Sequence, residues 1–437
     1  MTEPGTYTHR EKEALAEIAA TRIARGGSYA LTLALLAAIA VGSVLEAARA
    51  RRGEGTAFAG EPPIPAPKVL LATLRSTGPL AANRALRKGL AALEDRLGRE
   101  SALSSALRPA AQTALARGLE YGNSQVIIGR QGWLYFRTEF DYLTGPPFLA
   151  PRELARRRSP VARYGVGEPD PVPGLVRLHD ELAERGIELV LFPVPVKAQV
   201  HPERLVRFSG LGPQAAEGGS GLANPSFPEL VRRLGDAGLP VYDALPELRA
   251  AARAGDEVYL ATDTHWNGAG MRIAAAGLAR FLARETDLPA RPPAGLRRRS
   301  FAHELEGDLT RLLGNGLAGP IFPRERVELD EVIGLGDLPY SANAPADSDV
   351  LLLGDSYSLI FASVDGGKSA SFAEQLAFAL DRPVRRSAKV AANGLGARVQ
   401  WLRDDPELLK GTRVVVYEVT ARALSSAGWA SARIQPK

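Results

Sequence analysis

The sequence predicts an α/β fold, a three-layer sandwich built on a parallel sheet, and two observations carry that prediction. The first is a set of short apolar runs that do not alternate: Ile187-Glu-Leu-Val-Leu-Phe192, Val350-Leu-Leu-Leu353 and Thr412-Arg-Val-Val-Val-Tyr-Glu418. A strand with one wet face alternates every second residue, whereas a strand covered on both faces is apolar throughout. The second is the rhythm between the runs. Segments with helical spacing separate them, which is the alternation of an α/β sheet.

Taken in order, residues 1–27 are polar and of mixed charge, and are expected to be cytoplasmic. Tyr29–Leu45 carries no charge and is rich in Ala and Leu, with Arg22 and Arg25 before it and Arg49, Arg51 and Arg52 after it. This predicts an uncleaved membrane anchor over 28–48, with the later chain on the far side. The basic flanks do not settle orientation, and a long domain can translocate regardless of them. Ala57-Phe-Ala59 resembles a signal-peptidase site but stands too far beyond the apolar run. A linker with amphipathic helices is expected over 49–119: Glu61-Pro-Pro-Ile-Pro-Ala-Pro67 is a stiff spacer, and Leu86, Leu90, Leu93 and Leu97 have helical spacing. Residues 120–437 are read as one catalytic domain.

Within that domain Val126–Phe136 reads as a hairpin turning at Gly129–Gly132, with Trp133 as a core plug. Residues 151–173, rich in Arg and Pro, read as a loop. A helix over 174–185 stops at Gly186, and the strand over 187–192 leads to Lys197 at the edge of the sheet. After a Gly-rich loop at 209–223 come a helix over 228–236, a strand over 239–243 and a helix over 246–254. Asn267 reads as the N-cap of a helix reaching Phe281. Arg156–Arg158 and Arg297–Arg299 read as solvated loops. A helix over 372–380 and strands over 387–392 and 412–418 complete the pattern.

The chemistry centres on Gly354-Asp355-Ser356. The run Val350–Leu353 ends there, so Ser356 falls on the turn from a buried strand into a helix, at the carboxyl edge where α/β sheets bind ligands. Backbone N–H groups at such a helix start can receive an oxyanion. A serine needs an oriented base. Of the histidines at 9, 179, 201, 265 and 303, His265 stands in Asp263-Thr-His-Trp266, where extended chain puts Asp263 and His265 on one side. Asp263 would then hold Nδ1 and leave Nε2 for Ser356. Taken alone, Gly-Asp-Ser is also ordinary turn chemistry. Trp266 is open to three roles: walling an acyl pocket, stacking on a sugar, or packing under the helix.

Cysteine is absent, and neither a His/Cys cluster nor a G-x-G-x-x-G opening a helix occurs, so no metal or diffusible cofactor is implied. The net charge of +5 comes mostly from arginine and has no nucleic-acid-binding motif beside it. A solvated surface is the plainest reading, while an acidic polysaccharide or an anionic lipid surface suits it equally.

Gly354-Asp-Ser-Tyr-Ser358 together with Asp263-Thr-His-Trp266 resembles the SGNH-hydrolase-like (flavodoxin-like) domain of the alginate O-acetyltransferases, the AlgJ/AlgX group. Val126–Tyr135, Pro193–Lys197 and Gly307-Asp-Leu309 fit the same group over about 120–425. Ordinary SGNH enzymes place the Ser block first and the Asp–His pair last. Here the order is permuted, as in the acetyltransferases. The resemblance implies an acyl-enzyme on Ser356 with His265 as base and Asp263 orienting it. It also implies a polysaccharide acceptor, acetyl delivered through a membrane-bound O-acyltransferase, and a single-pass protein of the bacterial inner membrane with its catalytic domain in the periplasm. Oxyanion or substrate contacts would fall to Asn393, Gly394, Tyr357, Trp266 and Lys197. Glu418 stands where a standard SGNH enzyme has Asn, and is expected to pair with Arg422. The chain ends too soon for the AlgX-type carbohydrate-binding module, which places it nearer AlgJ. Hydrolysis by the same triad, and a non-catalytic scaffold in a secretion complex, remain the alternatives.

Overall fold

The computed structural model describes residues 64–161, 168–205, 222–314, 321–343, 347–364, 368–390, 394–430 and 433–434, with scattered positions between 29 and 52. The strands are β1 (Val126–Ile128), β2 (Leu134–Phe136), β3 (Glu188–Val194), β4 (Arg297–Leu305), β5 (Glu325–Ile333), β6 (Val350–Gly354), β7 (Val384–Ala388) and β8 (Val414–Thr420). A parallel sheet runs in the order β3-β8-β6-β7, so the last strand of the chain lies between the third and the sixth. Val416 pairs with Val190 on one side and Leu352 on the other. Every residue of β6 and β8 is buried. Successive side chains point to opposite faces, so both faces are covered and the sheet is the middle of three layers. That coverage is the reason these runs need no polar alternation.

The parallel direction brings Val194, Gly354, Ala388 and Thr420 to one edge of the sheet. Over β3 the aromatic rings of Phe192, Trp266 and Phe372 stack within 4.9–6.2 Å of one another, tying helices Gly268–Glu285 and Phe372–Leu380 to the sheet. Asn267 caps the first of these by accepting from Gly270 N.

Several boundaries differ from expectation. The strand over 239–243 shrinks to a single bridge, Val241 to Leu191, because Pro240 has no N–H for a ladder. The strand over 387–392 lies earlier, at β7. The loop expected over 151–173 is a helix at Pro151–Val161, started by proline and held by Glu153 pairing with Arg156 at 2.6 Å. In the same run Arg157 is buried, donating to Ser425 O at 2.8 Å. Arg297–Arg299 belong to β4, which pairs antiparallel with β5 over its whole length. That ribbon was not legible in the sequence, since charged residues occupy both of its faces.

The chain divides into two compact units, Met1–Ala111 and Gln112–Lys437. The first contains α1 (Pro67–Thr77), α2 (Pro79–Glu100) and the start of α3 (Ala102–Leu119). Gly78, at φ +92, makes the break that Pro79 then follows into α2. The expected cytoplasmic segment and the anchor over 28–48 lie outside the described residues, apart from isolated positions. No helix among the described residues is long and apolar enough to cross a membrane.

Candidate active site

β6 ends at Gly354, and the chain turns directly into the four-residue helix Ser356–Leu359. Asp355 caps that helix by accepting from Tyr357 N at 2.9 Å. Its other oxygen accepts from Thr420 N and Thr420 Oγ1, each at 3.0 Å, so the turn is stapled to the end of β8. Glu418 braces it from below, accepting from Asp355 N at 2.9 Å and from Ser358 Oγ at 2.6 Å. The expected Glu418–Arg422 pair is not formed: the strand ends at Thr420, and Arg422 lies in the 3-10 turn Ala421–Ser425 that follows, out of the strand's alternation. Arg422 instead donates to the fully buried Glu139 at 2.9 Å. The buried cation whose charge acts on Glu418 is Arg398, its guanidinium 4.3 Å from the Tyr417 ring centre. With these neighbours committed, Ser356 Oγ makes no hydrogen bond among the described residues. The Ser356 N–H is likewise left available for an oxyanion, whereas the next N–H is taken by Asp355.

Asp263 and His265 do lie together, but not through extended chain. Residues 261–265 are bends, and His265 N donates to Asp263 Oδ1 at 3.0 Å, closing an Asx turn. The same oxygen accepts from His265 Nδ1 at 2.6 Å. Nε2 is therefore the nitrogen left for chemistry, and it is buried with no hydrogen-bond partner among the described residues. Tyr357 joins this loop to the serine turn. Its ring centre is 4.6 Å from that of His265, its hydroxyl donates to Thr264 O at 2.6 Å, and its carbonyl accepts from Trp266 Nε1 at 3.2 Å. Two segments about ninety positions apart are so stitched by the residue that follows Ser356.

The other expected contacts fare differently. Lys197 is fully buried and donates to Leu134 O, Ala261 O and Asp263 O at 2.6, 2.7 and 3.1 Å. It ties the hairpin to the base loop and is closed off from solvent. Trp266 is also fully buried, so packing is its role, not a sugar platform. Tyr357 is buried and orients the loop rather than facing solvent. Gly394 lies at the start of helix Leu395–Asp404, its carbonyl accepting from Tyr417 Oη at 3.0 Å. Asn393 lies outside the described residues. Sequence reasoning gave no role to Asp308, missed Glu325 and Glu139, and assigned Arg422 the wrong partner. Asp308 accepts from Thr264 N and Oγ1 and donates its own N–H to Asp263 Oδ2 at 2.8 Å. Glu325 accepts from Ala261 N and Thr262 N at 2.7 and 2.6 Å. Gly307-Asp308 had stood out as a motif without a role; nothing local distinguished the others.

Residues 126–421 match a family model described as the SGNH hydrolase-like domain of the acetyltransferase AlgX. The chain belongs to this family. Relatives named "Probable alginate O-acetylase AlgJ" include one from Pseudomonas syringae pv. tomato, 27% identical over 311 residues, or 69% of this chain and 70% of the relative. Another, from Pseudomonas aeruginosa, is 28% identical over 316 residues, 70% of this chain and 72% of that protein. Among solved structures, the O-acetyltransferase domain of Pseudomonas putida AlgJ aligns with TM-score 0.50 at 22% identity, covering 69% of this chain and 92% of that domain. That likeness supports the SGNH hydrolase-like α/β fold.

In this acetyltransferase domain the electrostatics of the loop suit a base. Burial works against a charged imidazole, but the Asp263 hydrogen bond and charge outweigh it and raise the His265 pKa. Burial likewise opposes the Asp263 carboxylate, yet the bond to His265 and its charge draw it down to about 2. Lys197 is lowered to about 8 by burial. Only neutral His265 can accept a proton, so kcat/KM is expected to fall in acid along a limb centred above the ordinary imidazole value of about 6.5. Asp263→Asn is expected to move that limb downward in a pH–rate profile; an unmoved limb would mean that another group titrates.

Asp263, His265 and Asp308 also bring one ligand atom each within 4.8 Å, the only such cluster among the described residues. All four carboxylate oxygens already accept from N–H or O–H groups, as a hydrogen-bonded catalytic pair with its support would. The support is tightly fitted. A Cβ on Gly307 would stand 2.1 Å from Thr262 O, although its φ of −63 suits any residue. Gly307→Ala is therefore expected to cost about 1–3 kcal/mol by forced displacement of backbone. Turnover should fall as well, as Asp308 N leaves Asp263; thermal unfolding and steady-state kinetics check the two effects.

Proposed function

We propose that this chain is a membrane-anchored periplasmic O-acetyltransferase that moves acetyl groups onto hydroxyls of an exopolysaccharide, either alginate-like or another cell-envelope glycan. The observation that supports it most is the 2.6 Å Asp263–His265 hydrogen bond on a loop joined to the serine turn, in a chain of an acetyltransferase family. His265 Nε2 takes the Ser356 proton as Oγ bonds to the acetyl carbonyl carbon of a donor ester. The oxyanion collapses, the donor oxygen leaves with the proton from His265, and acetyl-Ser356 remains. An acceptor hydroxyl then gives its proton to Nε2, bonds to the same carbon and releases Ser356, which is reprotonated. The Ser356 N–H stabilises the oxyanion in both halves. The donor is supplied through a membrane-bound O-acyltransferase, and the apolar run Tyr29–Leu45 keeps the domain beside it.

The test supplies the full chain with a soluble acetyl ester and an oligomannuronate acceptor, followed by mass spectrometry. Acetylated oligosaccharide is expected. Ester cleavage that ignores the acceptor and yields acetate alone would replace transfer by hydrolysis. No cleavage and no transfer under any donor would leave the scaffold reading.

A further inference from the structure

The net charge of +5 is not spread along the chain. Residues 1–66 hold seven basic and seven acidic side chains, and the catalytic unit, 112–437, holds 39 of each. The whole surplus lies in residues 67–111, where eight Lys and Arg stand against three Asp and Glu. These residues form α1, α2 and the start of α3.

The same helices leave their apolar side chains in solvent. Val69, Leu71 and Leu74 of α1 and Leu80, Leu86 and Leu90 of α2 are between 36% and 81% exposed, and α1 buries no residue. Leu86, Leu90 and Leu93 form one stripe along α2, at positions i, i+4 and i+7, with Arg87 on its flank. Lys68, Arg75, Arg84 and Arg87 are exposed, and none pairs with a carboxylate among the described residues. Several arginines of the catalytic unit behave otherwise: Arg156, Arg232 and Arg299 each hold a carboxylate within 2.8 Å.

We propose that α1 and α2 lie on an anionic lipid surface, with their leucines at the boundary of headgroup and acyl chain and their basic side chains among lipid phosphates. An acidic glycan would match the charge but offers no apolar phase for six exposed aliphatic side chains. An anionic bilayer surface satisfies both at once. Position in the chain agrees. Residue 67 follows the expected anchor by 19 residues, which even fully extended span at most about 65 Å. That continuity rests on the anchor reading, whereas the charge and the exposed leucines do not.

The chain contains no cysteine, so Leu90→Cys in the full chain gives one site for an environment-sensitive fluorophore. The labelled protein is reconstituted into phosphatidylcholine vesicles with and without phosphatidylglycerol. Emission is expected to rise several-fold only with phosphatidylglycerol, to be quenched by lipid spin-labelled at headgroup depth, and to return to baseline in Arg84→Glu/Arg87→Glu. Cleavage of a soluble acetyl ester by that double variant should equal the parent's, which shows that the catalytic unit is folded. Equal low emission on both vesicles overturns the proposal. Equal high emission on both, or high emission without lipid, also overturns it and places this chain or a second copy over the leucines. A rise caused by soluble alginate and not by phosphatidylglycerol gives the face to a glycan instead.

Discussion

Ser356→Ala is expected to lower acetyl transfer by about 10⁴-fold or more while leaving stability unchanged within roughly 0.5 kcal/mol. The two halves of that expectation have separate physical causes. Ser356 Oγ makes no hydrogen bond among the described residues, so nothing in the turn depends on it. The turn is held by Asp355 bonded to Tyr357 N and Thr420, and by Glu418 bonded to Asp355 N and Ser358 Oγ. Ser358→Ala, two positions on, supplies the contrast: it leaves Glu418, fully buried, short of a donor at 2.6 Å. Its cost should fall on folding, at about 1–3 kcal/mol. His265→Ala should match Ser356→Ala in rate, and the double variant should be hardly worse than either, because the two groups act as one device. Acetyl-enzyme trapped by mass spectrometry in the parent and missing in Ser356→Ala completes the check. Retention of turnover within a factor of about ten would place the nucleophile elsewhere.

Arg422→Ala is expected to cost about 3–5 kcal/mol near neutral pH, the range for breaking a buried ion pair. Glu139 is fully buried, its Oε1 accepts from Arg422 at 2.9 Å, and its Oε2 has no partner among the described residues. Burial raises the Glu139 pKa from the ordinary 4.5 to about 7 even with Arg422 opposing it. The folded state therefore holds a proton that the unfolded state gives up first, and stability drops as pH rises between those two values. Without the guanidinium the folded value climbs further, so the drop continues to higher pH. The deficit of Arg422→Ala relative to the parent should accordingly be smaller at about pH 5 than at about pH 8, read from denaturant midpoints. Adding Glu139→Gln should recover part of the loss, since no charge is then stranded. A deficit that is equal at both pH values would show that packing of Arg422 against Phe136 and Tyr357 matters and the charge does not.

What could be read in the sequence follows from what each residue needs. Val350–Gly354 and Val414–Thr420 are buried on both faces, and the demand for apolar side chains at every position writes itself into consecutive letters. Helix Gly268–Glu285 shows its cap at Asn267 because capping is local. β4 and β5 left no such trace: their partners are each other, and Arg299 meets Glu331 only once the ribbon forms. Lys197 looked like a lysine beside a sheet edge. Its burial under three carbonyls depends on a hairpin some sixty positions earlier and a loop some sixty positions later. Asp263 and His265 were paired for an imperfect reason, since alternation along a strand gave the right side but an Asx turn makes the contact.

The residues by themselves determined the layered α/β fold, the buried strands of its parallel sheet, and the pair of short motifs that together identify an acetyltransferase family. All of that is written over a few adjacent positions, where backbone geometry and local burial act directly. Only the folded chain decided that Glu139 answers Arg422 across 283 positions, that Glu418 braces the serine turn, and that Tyr357 rests on the His265 ring. A buried charge or hydroxyl must find a partner, yet which one it finds is set by which surfaces the sheet and its covering helices bring within about 3 Å.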